Sequence, residues 1–236
     1  MKEPKESVLL ITGTSRGIGL ASANHYLTQG WRVVGCSRSA SAIDHPNYFH
    51  STTDVSQESE VVSLLREIQE KYQRLDAVIN NAAIFHQGLA LLSSKETLQT
   101  VFETNVFGTF MVCRESAKLM QKKKYGRIIN LGSIALTMKI EGSSFYASSK
   151  AAILEMTKIL AKELALFNIT CNMVAPGLMD TAMYRDLSDT AQAKCLEAMA
   201  IKQMSTIEDL SQVTDFLLSK ESSLITGQHI CLGTIS

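Results

Sequence analysis

A glycine-rich octet between an apolar run and a helical pattern limits the possible folds of this chain more than any other stretch. The octet is T-G-T-S-R-G-I-G at residues 12–19, and residues 8–11 before it are apolar, as is typical of a buried parallel strand. Gly13 permits a tight turn, Gly17 lets the backbone approach a pyrophosphate, and Gly19 lets the next helix pack on the strand. The helix N-terminus then offers free N–H groups to an anion. An ordinary strand-to-helix turn could have the same glycines, but their place between strand and helix favours a phosphate-binding loop.

The length and charge of the chain favour one domain that acts on small molecules. At 236 residues it fits one α/β domain, and we expect a single domain over residues 1–236. Its 23 basic and 23 acidic side chains cancel, so no net field attracts nucleic acid or an anionic membrane. Residues 1–7 lack the apolar core of a signal peptide, and no later apolar stretch is long enough to span a bilayer. We therefore expect a cytoplasmic protein.

The cysteines do not indicate a disulfide framework or a metal site. Their number is odd, and their spacing has no metal-ligand pattern. They are more simply explained as small apolar residues of the core. The five are Cys36, Cys113, Cys171, Cys195 and Cys231.

Apolar strand patterns that alternate with amphipathic helices predict a doubly wound Rossmann-type sheet with helices on both faces. The seven predicted parallel strands are residues 8–11, 32–36, 48–52, 76–80, 127–131, 170–175 and 229–232. The main predicted helices are residues 18–29, 58–72, 93–123 and 143–167, with Ser56 as the N-cap of the second. Strands two and three are only about a dozen residues apart, so any helix between them should be vestigial.

Several polar residues are predicted to lie at the carboxyl ends of strands, where a parallel sheet binds ligands. Asn80 and Asn81 follow strand four, although an Asx turn would also explain them, and Ser133 follows strand five, where it could be a simple turn residue. Asn105 lies inside the long predicted helix, where its amide competes for backbone hydrogen bonds. It suggests a kink or a bound water, and an exposed asparagine is the alternative.

A tyrosine and a lysine on the next predicted helix could work together. Tyr146 and Lys150 are four residues apart, so both side chains project from one face of the helix. Taken alone, Tyr146 could equally be a tyrosine that packs at the edge of the core.

Together these motifs resemble the short-chain dehydrogenase/reductase family in order and spacing. The resemblance covers nearly the whole chain, and the general pattern is most similar to the 3-oxoacyl-acyl-carrier-protein reductase branch. It rests on the glycine octet, N-N-A-A at 80–83, Asn105, Ser133, Y-A-S-S-K at 146–150 and P-G at 176–177.

The resemblance implies hydride transfer at a carbonyl or alcohol carbon, in a crevice between Ser133, Tyr146 and Pro176. Tyr146 would donate or accept the proton and Ser133 would bind the substrate oxygen. Lys150, together with the positive charge of the oxidised nicotinamide, would lower the tyrosine pKa from its ordinary value near 10. Lys150 would also reach the nicotinamide ribose, and Asn105 would hold a water. No metal is implied. The leading interpretation is a carbonyl reductase. The alternatives are an alcohol dehydrogenase that works oxidatively and a non-catalytic NADP-binding regulator.

The resemblance also implies a set of cofactor contacts. Besides Tyr146 and Lys150, these are Gly13, Ser15, Arg16 and Ile18 for the pyrophosphate, Asp54 and Val55 for the adenine, Asn81 for the ribose, and Met179 and Thr181 for the carboxamide. Ser37 and Arg38 stand after strand two, where NAD specificity generally uses a carboxylate. We therefore expect NADP(H), with Arg38 and Arg16 paired to the 2′-phosphate, although solvated surface arginines are the alternative. Ala83 in place of the usual glycine is a departure from the family.

Three further expectations concern partners. Apolar residues on more than one face of the helices around Asn105 and Tyr146 suggest a homodimer or homotetramer. Residues 178–204 are expected to form a substrate lid, with Met179, Met183, Met199 and Met204 either adaptable to an acyl chain or simply filling the lid's own core. Docking of an acyl carrier protein is suggested by a basic run, although Phe167 stands at the family's second basic position. The run is Lys122, Lys123 and Lys124.

Overall fold

The computed structural model describes residues 7–185 and 189–235, and in this part of the chain all strands belong to one seven-stranded sheet. The strands are β1 (Val8–Thr12), β2 (Arg32–Ser37), β3 (Tyr48–Thr52), β4 (Ala77–Asn80), β5 (Gly126–Leu131), β6 (Ile169–Ala175) and β7 (His229–Cys231). Their order is β3-β2-β1-β4-β5-β6-β7, and every neighbouring pair is parallel. The order reverses between β1 and β4, which opens a crevice at the carboxyl ends of these strands.

Helices cover both faces of this sheet. The α-helices are α1 (Gly17–Thr28), α2 (Glu58–Tyr72), α3 (Lys95–Phe102), α4 (Thr109–Lys123), α5 (Ala135–Met138), α6 (Ser144–Leu164), α7 (Ala182–Arg185), α8 (Asp189–Glu197) and α9 (Ile207–Leu218). Short 3-10 helices lie at Ala90–Leu92 and Ala165–Phe167, and a π-helix at Glu103–Gly108 joins α3 to α4. No helix in the described part of the chain is long and apolar enough to cross a membrane.

The alternation of side chains along β1 divides the core in two. Val8 and Leu10 face one core, which is completed by α2, α4 and α6. Leu9 and Ile11 face the other, which is completed by α1 and α9. Because successive side chains of a strand point to opposite faces, a fully apolar strand requires cover on both sides. The doubly wound, all-parallel architecture predicted from the sequence is confirmed.

The long helix predicted for residues 93–123 is interrupted at Asn105, as its residue type suggested. Ser94 caps α3 by accepting a hydrogen bond from the N–H of Thr97 at 3.2 Å, and the π-helix then follows at Glu103–Gly108. A π-turn adds one residue to a helical turn and redirects the side chains within it. This turn places Asn105 inside the protein, where it is fully buried.

Two local predictions were wrong. Ser56 is not the N-cap of α2: that residue is Gln57, and the Ser56 hydroxyl instead donates to Asp54 Oδ1 at 2.8 Å. Strand four is predicted to begin at Asp76, but Asp76 lies just before β4. Its carboxylate accepts the N–H of Val8 at 2.8 Å and pairs with the Arg74 guanidinium. Between β2 and β3, residues 38–47 form no helix at all.

Candidate active site

The glycine loop forms the first wall of the crevice. Gly13 has φ +75 and its N–H donates to the Cys36 carbonyl at 2.7 Å, which makes the tight turn after β1. A Cβ on Gly19 would overlap the Gly13 carbonyl oxygen, so α1 packs against the loop as closely as the sequence predicted. Gly17 has φ +59 and open space around it. The loop therefore presents bare backbone at the N-terminus of α1, which suits the pyrophosphate of a dinucleotide.

Thr12 and Asn81 fix this loop to the end of β4. The Asn81 side-chain amide donates to the carbonyl oxygens of Thr12 and Gly13 at 2.8 and 3.2 Å. The Thr12 Oγ1 in turn accepts the backbone N–H groups of Asn81 and Ala82 at 3.0 and 2.9 Å. Asn81, predicted to lie beneath the adenosine ribose, thus has both side-chain hydrogens bonded to the loop. Thr12 was not singled out from the sequence, because a threonine that ends a strand carries no distinctive pattern.

Asn105 ties the segment after β4 to the helix that carries the tyrosine. Its Nδ2 donates to the Ile84 carbonyl and to Ser149 Oγ, both at 3.0 Å, and its Oδ1 accepts the Ile84 N–H at 2.9 Å. Ser149 Oγ donates onward to the Tyr146 carbonyl at 2.7 Å. Asn105 therefore holds the first turns of α6 in place.

Tyr146 and Ser133 form the centre of the site. Tyr146 is only 6% exposed, and its ring meets Phe85 edge-on with the ring centroids 5.1 Å apart. Burial raises the pKa of Tyr146 above its ordinary value, and a hydrogen bond with Ser133 lowers it by a smaller amount. Phe85 was not predicted to be part of the site.

Lys150 is a buried cation beside this pair. It is 3% exposed, its Nζ donates to the Leu131 carbonyl at 2.7 Å, and the same Nζ lies 5.7 Å from the centroid of the Tyr146 ring. Burial lowers the pKa of Lys150 to about 8. In this structure Lys150 is not among the groups that shift the pKa of Tyr146, and the lowering expected beside oxidised nicotinamide stays a prediction. Burial is the largest influence on the pKa of Tyr146. The Lys150 ammonium group donates to the Leu131 carbonyl of β5.

The other predicted cofactor residues follow the ends of the strands along the same edge of the sheet. Arg16 and Arg38 are exposed, after β1 and β2; Ser15, Ile18, Asp54, Met179 and Thr181 are half-buried; and Val55 is buried. A Cβ on Gly108 would press on Val55, so the π-helix packs directly behind the segment that follows β3. The structure thus gathers residues from the ends of six strands around one crevice.

The segment after β6 packs against Ile134, the residue that follows Ser133. Cys195 and Met199 form a small core with Ile134 and Leu178, and Met204 packs against it. Met199 and Met204 therefore fill the segment's own core, as the simpler interpretation held, while Met179 packs against the core of α1 and α9. The Met183 side chain and residues 186–188 lie outside the described part of the molecule. A cavity of about 560 Å³ lies between α8, the 87–89 segment and the 138–142 loop.

Comparison with known proteins shows the family and agrees with the fold. A family model described as short chain dehydrogenase matches residues 7–192. The chain is 34% identical over 229 residues to the 3-oxoacyl-[acyl-carrier-protein] reductase FabG of Escherichia coli, covering 94% of each chain. It is 32% identical over 222 residues to the 3-oxoacyl-[acyl-carrier-protein] reductase MabA of Mycobacterium avium, covering 94% of this chain and 86% of that protein. A crystal structure of a short chain dehydrogenase from Leptospira borgpetersenii with bound NAD+ superposes with a TM-score of 0.88 at 25% identity, covering 97% of this chain and 91% of the other.

Proposed function

Because the chain belongs to the short-chain dehydrogenase family, we propose that this oxidoreductase uses NADPH to reduce the carbonyl group of a 3-oxoacyl compound or a related ketone to an alcohol. The observation that carries the proposal is the buried Tyr146, whose pKa Ser133 influences and which lies one helical turn from Lys150 at the ligand-binding edge of the sheet. Function is argued from this constellation, since the fold alone hosts many activities.

The side chains suit the transfer of a proton to a carbonyl oxygen. When bound, the nicotinamide supplies a hydride to the carbonyl carbon. Ser133 would hold the carbonyl oxygen, and the Tyr146 phenol would donate its proton to that oxygen as the hydride arrives. Burial raises the pKa of Tyr146, so the phenol keeps its proton at neutral pH and can donate it. Lys150, with a pKa of about 8, can resupply a proton from within the site.

Removal of the phenolic hydroxyl tests this assignment. In Tyr146→Phe, turnover should fall by about 10² or more while NADPH affinity stays nearly unchanged, because the proton moves only in the transition state. Tyr26→Phe is a matched control, since Tyr26 is also buried and donates to Thr214 Oγ1 at 2.7 Å in another part of the molecule. Loss of the Tyr26 hydroxyl should lower the free energy of unfolding and leave turnover intact. Near-normal turnover in Tyr146→Phe would show that another group donates the proton.

The preference for NADPH is supported by the charges after β2. Ser37 and Arg38 stand there instead of a carboxylate, and Arg38 and Arg16 are both exposed. A guanidinium suits the planar, bidentate recognition of a phosphate. Wild type should therefore have a higher kcat/KM with NADPH than with NADH, and Arg38→Ala should reduce that ratio. Arg66→Ala, at an exposed arginine of α2, should leave it unchanged. Equal use of both cofactors by wild type would refute this preference.

Delivery of the substrate by acyl carrier protein is a second part of the proposal. Lys122, Lys123 and Lys124 are exposed at the end of α4 and would attract an acidic partner, with residues 178–204 as the substrate lid. The 3-oxoacyl group on carrier protein should then turn over faster than the same group on a small thioester at low salt. Replacement of the three lysines by alanine should remove that advantage. No advantage at low salt would exclude this docking surface.

A homodimer or homotetramer is the third part. Phe107 in the π-helix and Phe110 at the start of α4 are 49% and 41% exposed, and Ile159 on α6 is 51% exposed, so apolar surface remains uncovered on these helices. Light scattering should give a mass of at least twice 25.9 kDa, and Phe110→Glu should reduce it. A fully active monomer would contradict the assembly.

The five free cysteines fit a reducing compartment, which supports a cytoplasmic location.

A further inference from the structure

A chain of polar side chains connects the glycine loop to the turn after β2. Thr14 Oγ1 lies 3.0 Å from Tyr48 Oη, and Tyr48 Oη lies 2.9 Å from His50 Nδ1. His50 Nε2 reaches the Ser39 carbonyl oxygen at 3.0 Å. Two residues of β3 thus bridge two segments that both border the cofactor crevice.

The hydrogen-bond roles in this chain follow from its last member. A carbonyl oxygen only accepts, so Nε2 of His50 must carry the proton that it shares with Ser39. Nδ1 of a neutral imidazole is then the acceptor, Tyr48 donates to it, and Thr14 donates to Tyr48. With the hydrogens placed in this way, every group along the chain has a partner.

Gly35 of β2 makes room for this bridge. A Cβ at Gly35 would overlap the Tyr48 hydroxyl and press on Thr14 Oγ1. The Tyr48 hydroxyl can therefore reach Thr14 only because β2 has no side chain at that position, so the contact is built into the sheet.

The bridge fixes the backbone of the turn at residues 37–39. The Ser39 carbonyl oxygen accepts from both Ser37 Oγ, at 2.7 Å, and His50 Nε2, at 3.0 Å. These two bonds engage the carbonyl oxygen within the protein, which leaves less of its negative charge to act on an anion beside Arg38. A carbonyl oxygen directed at a phosphate would repel it.

We propose that His50 and Tyr48 are positioning residues that set cofactor specificity, by holding the 37–39 turn in the shape that accepts the 2′-phosphate of NADPH. The inference rests on the proposed preference for NADPH. Neither residue needs to touch the cofactor, since both act through Ser37, Arg38 and Ser39. An NADH molecule has no 2′-phosphate, so its affinity depends much less on this turn.

Direct binding measurements test the proposal without turnover. NADPH and NADH are titrated into the protein, and their Kd values are read from nicotinamide fluorescence. His50→Leu should weaken the binding of NADPH about tenfold, equivalent to about 1.4 kcal/mol. It should weaken the binding of NADH less than about threefold. Tyr48→Phe should weaken NADPH several-fold. His50→Gln, whose amide can donate to the Ser39 carbonyl, should recover most of the loss. His25→Leu is the control, because His25 pairs with Asp215 between α1 and α9.

The outcomes separate this inference from the proposal on which it rests. Equal weakening of both cofactors in His50→Leu would indicate general loosening and overturn the specificity role, as would unchanged NADPH affinity or no recovery in His50→Gln. If wild type prefers NADPH and Arg38→Ala loses that preference while His50→Leu keeps it, only the inference fails. If wild type shows no preference for NADPH, both fail. Thermal melts of every variant establish that the fold is retained.

Discussion

Replacement of Lys150 by methionine should make the protein more stable at neutral pH while removing its activity. Lys150 is buried, and its pKa falls from 10.5 to about 8 because burial penalises the charged form. At about 1.4 kcal/mol per pKa unit, keeping this side chain charged costs the folded state roughly 3 kcal/mol. Methionine removes that charge but leaves the Leu131 carbonyl without its donor, a loss of about 1–2 kcal/mol. The net gain at pH 7 is therefore about 1–2 kcal/mol.

The pH dependence identifies the cause of this gain. Between the folded pKa of about 8 and the unfolded pKa of 10.5, the unfolded chain binds a proton at Lys150 that the folded protein has lost. Wild-type stability therefore rises with pH in this window relative to the variant. The advantage of Lys150→Met should be constant below pH 8 and should shrink by about 2 kcal/mol by about pH 9.5.

Urea denaturation of both proteins over this pH range is the assay, with equal m-values as the check on two-state unfolding. Lys158→Met is the matched control, since Lys158 lies on the same helix but is exposed and paired with Glu155. Because Lys158 is exposed, Lys158→Met should change the free energy of unfolding by less than about 1 kcal/mol. The reasoning is refuted if the difference between wild type and Lys150→Met does not change with pH, or if the variant is clearly less stable at pH 7.

Substitutions at three other positions probe the loop and the tyrosine. Thr12→Val leaves the N–H groups of Asn81 and Ala82 without an acceptor, so it should lower the free energy of unfolding in urea by about 2–4 kcal/mol. Thr12→Ser keeps the hydroxyl and should lower it by about 1 kcal/mol. Gly19→Ala forces α1 away from the Gly13 carbonyl and should weaken cofactor binding at least about tenfold in a fluorescence titration. An unchanged Kd would show that the loop adapts. Phe85→Leu exposes Tyr146 to water and should lower its raised pKa, which moves the alkaline limb of the pH profile of kcat/KM to lower pH. An unmoved limb would mean that Phe85 does not bury the phenol.

The sheet could be predicted because buried parallel strands leave a strong signal. Apolar runs such as residues 8–11 have no polar side to present, so they require helices on both faces, and the structure has them. Asn105 was also informative, because its residue type conflicts with its helical surroundings, and a π-helix is found there. The spacing of Tyr146 and Lys150 predicts that they share one face of a helix, whereas their role is implied by the resemblance of the combined motifs to the family.

The remaining features depend on contacts that leave no local pattern. Lys150 binds a backbone carbonyl of β5, and a carbonyl carries no residue type that a sequence could reveal. The pKa of Tyr146 depends on how deeply the folded chain buries it, which spacing cannot show. Ser56 resembled an N-cap, but the nearby Asp54 carboxylate competes for its hydroxyl. The Tyr48 and His50 bridge requires a gap at Gly35 on a neighbouring strand.

The central claim is that this site performs catalysis and does not merely bind a cofactor. The most direct measurement follows the loss of NADPH absorbance with a panel of 3-oxoacyl thioesters and simple ketones, together with the alcohol formed. The account predicts that, for at least one member of the panel, one alcohol molecule forms for each NADPH oxidised. It also predicts that turnover falls by about 10² or more in Tyr146→Phe. The claim would be contradicted if NADPH binds tightly but no carbonyl or alcohol substrate turns over, and wild type and Tyr146→Phe behave alike. That result would favour a non-catalytic cofactor-binding regulator.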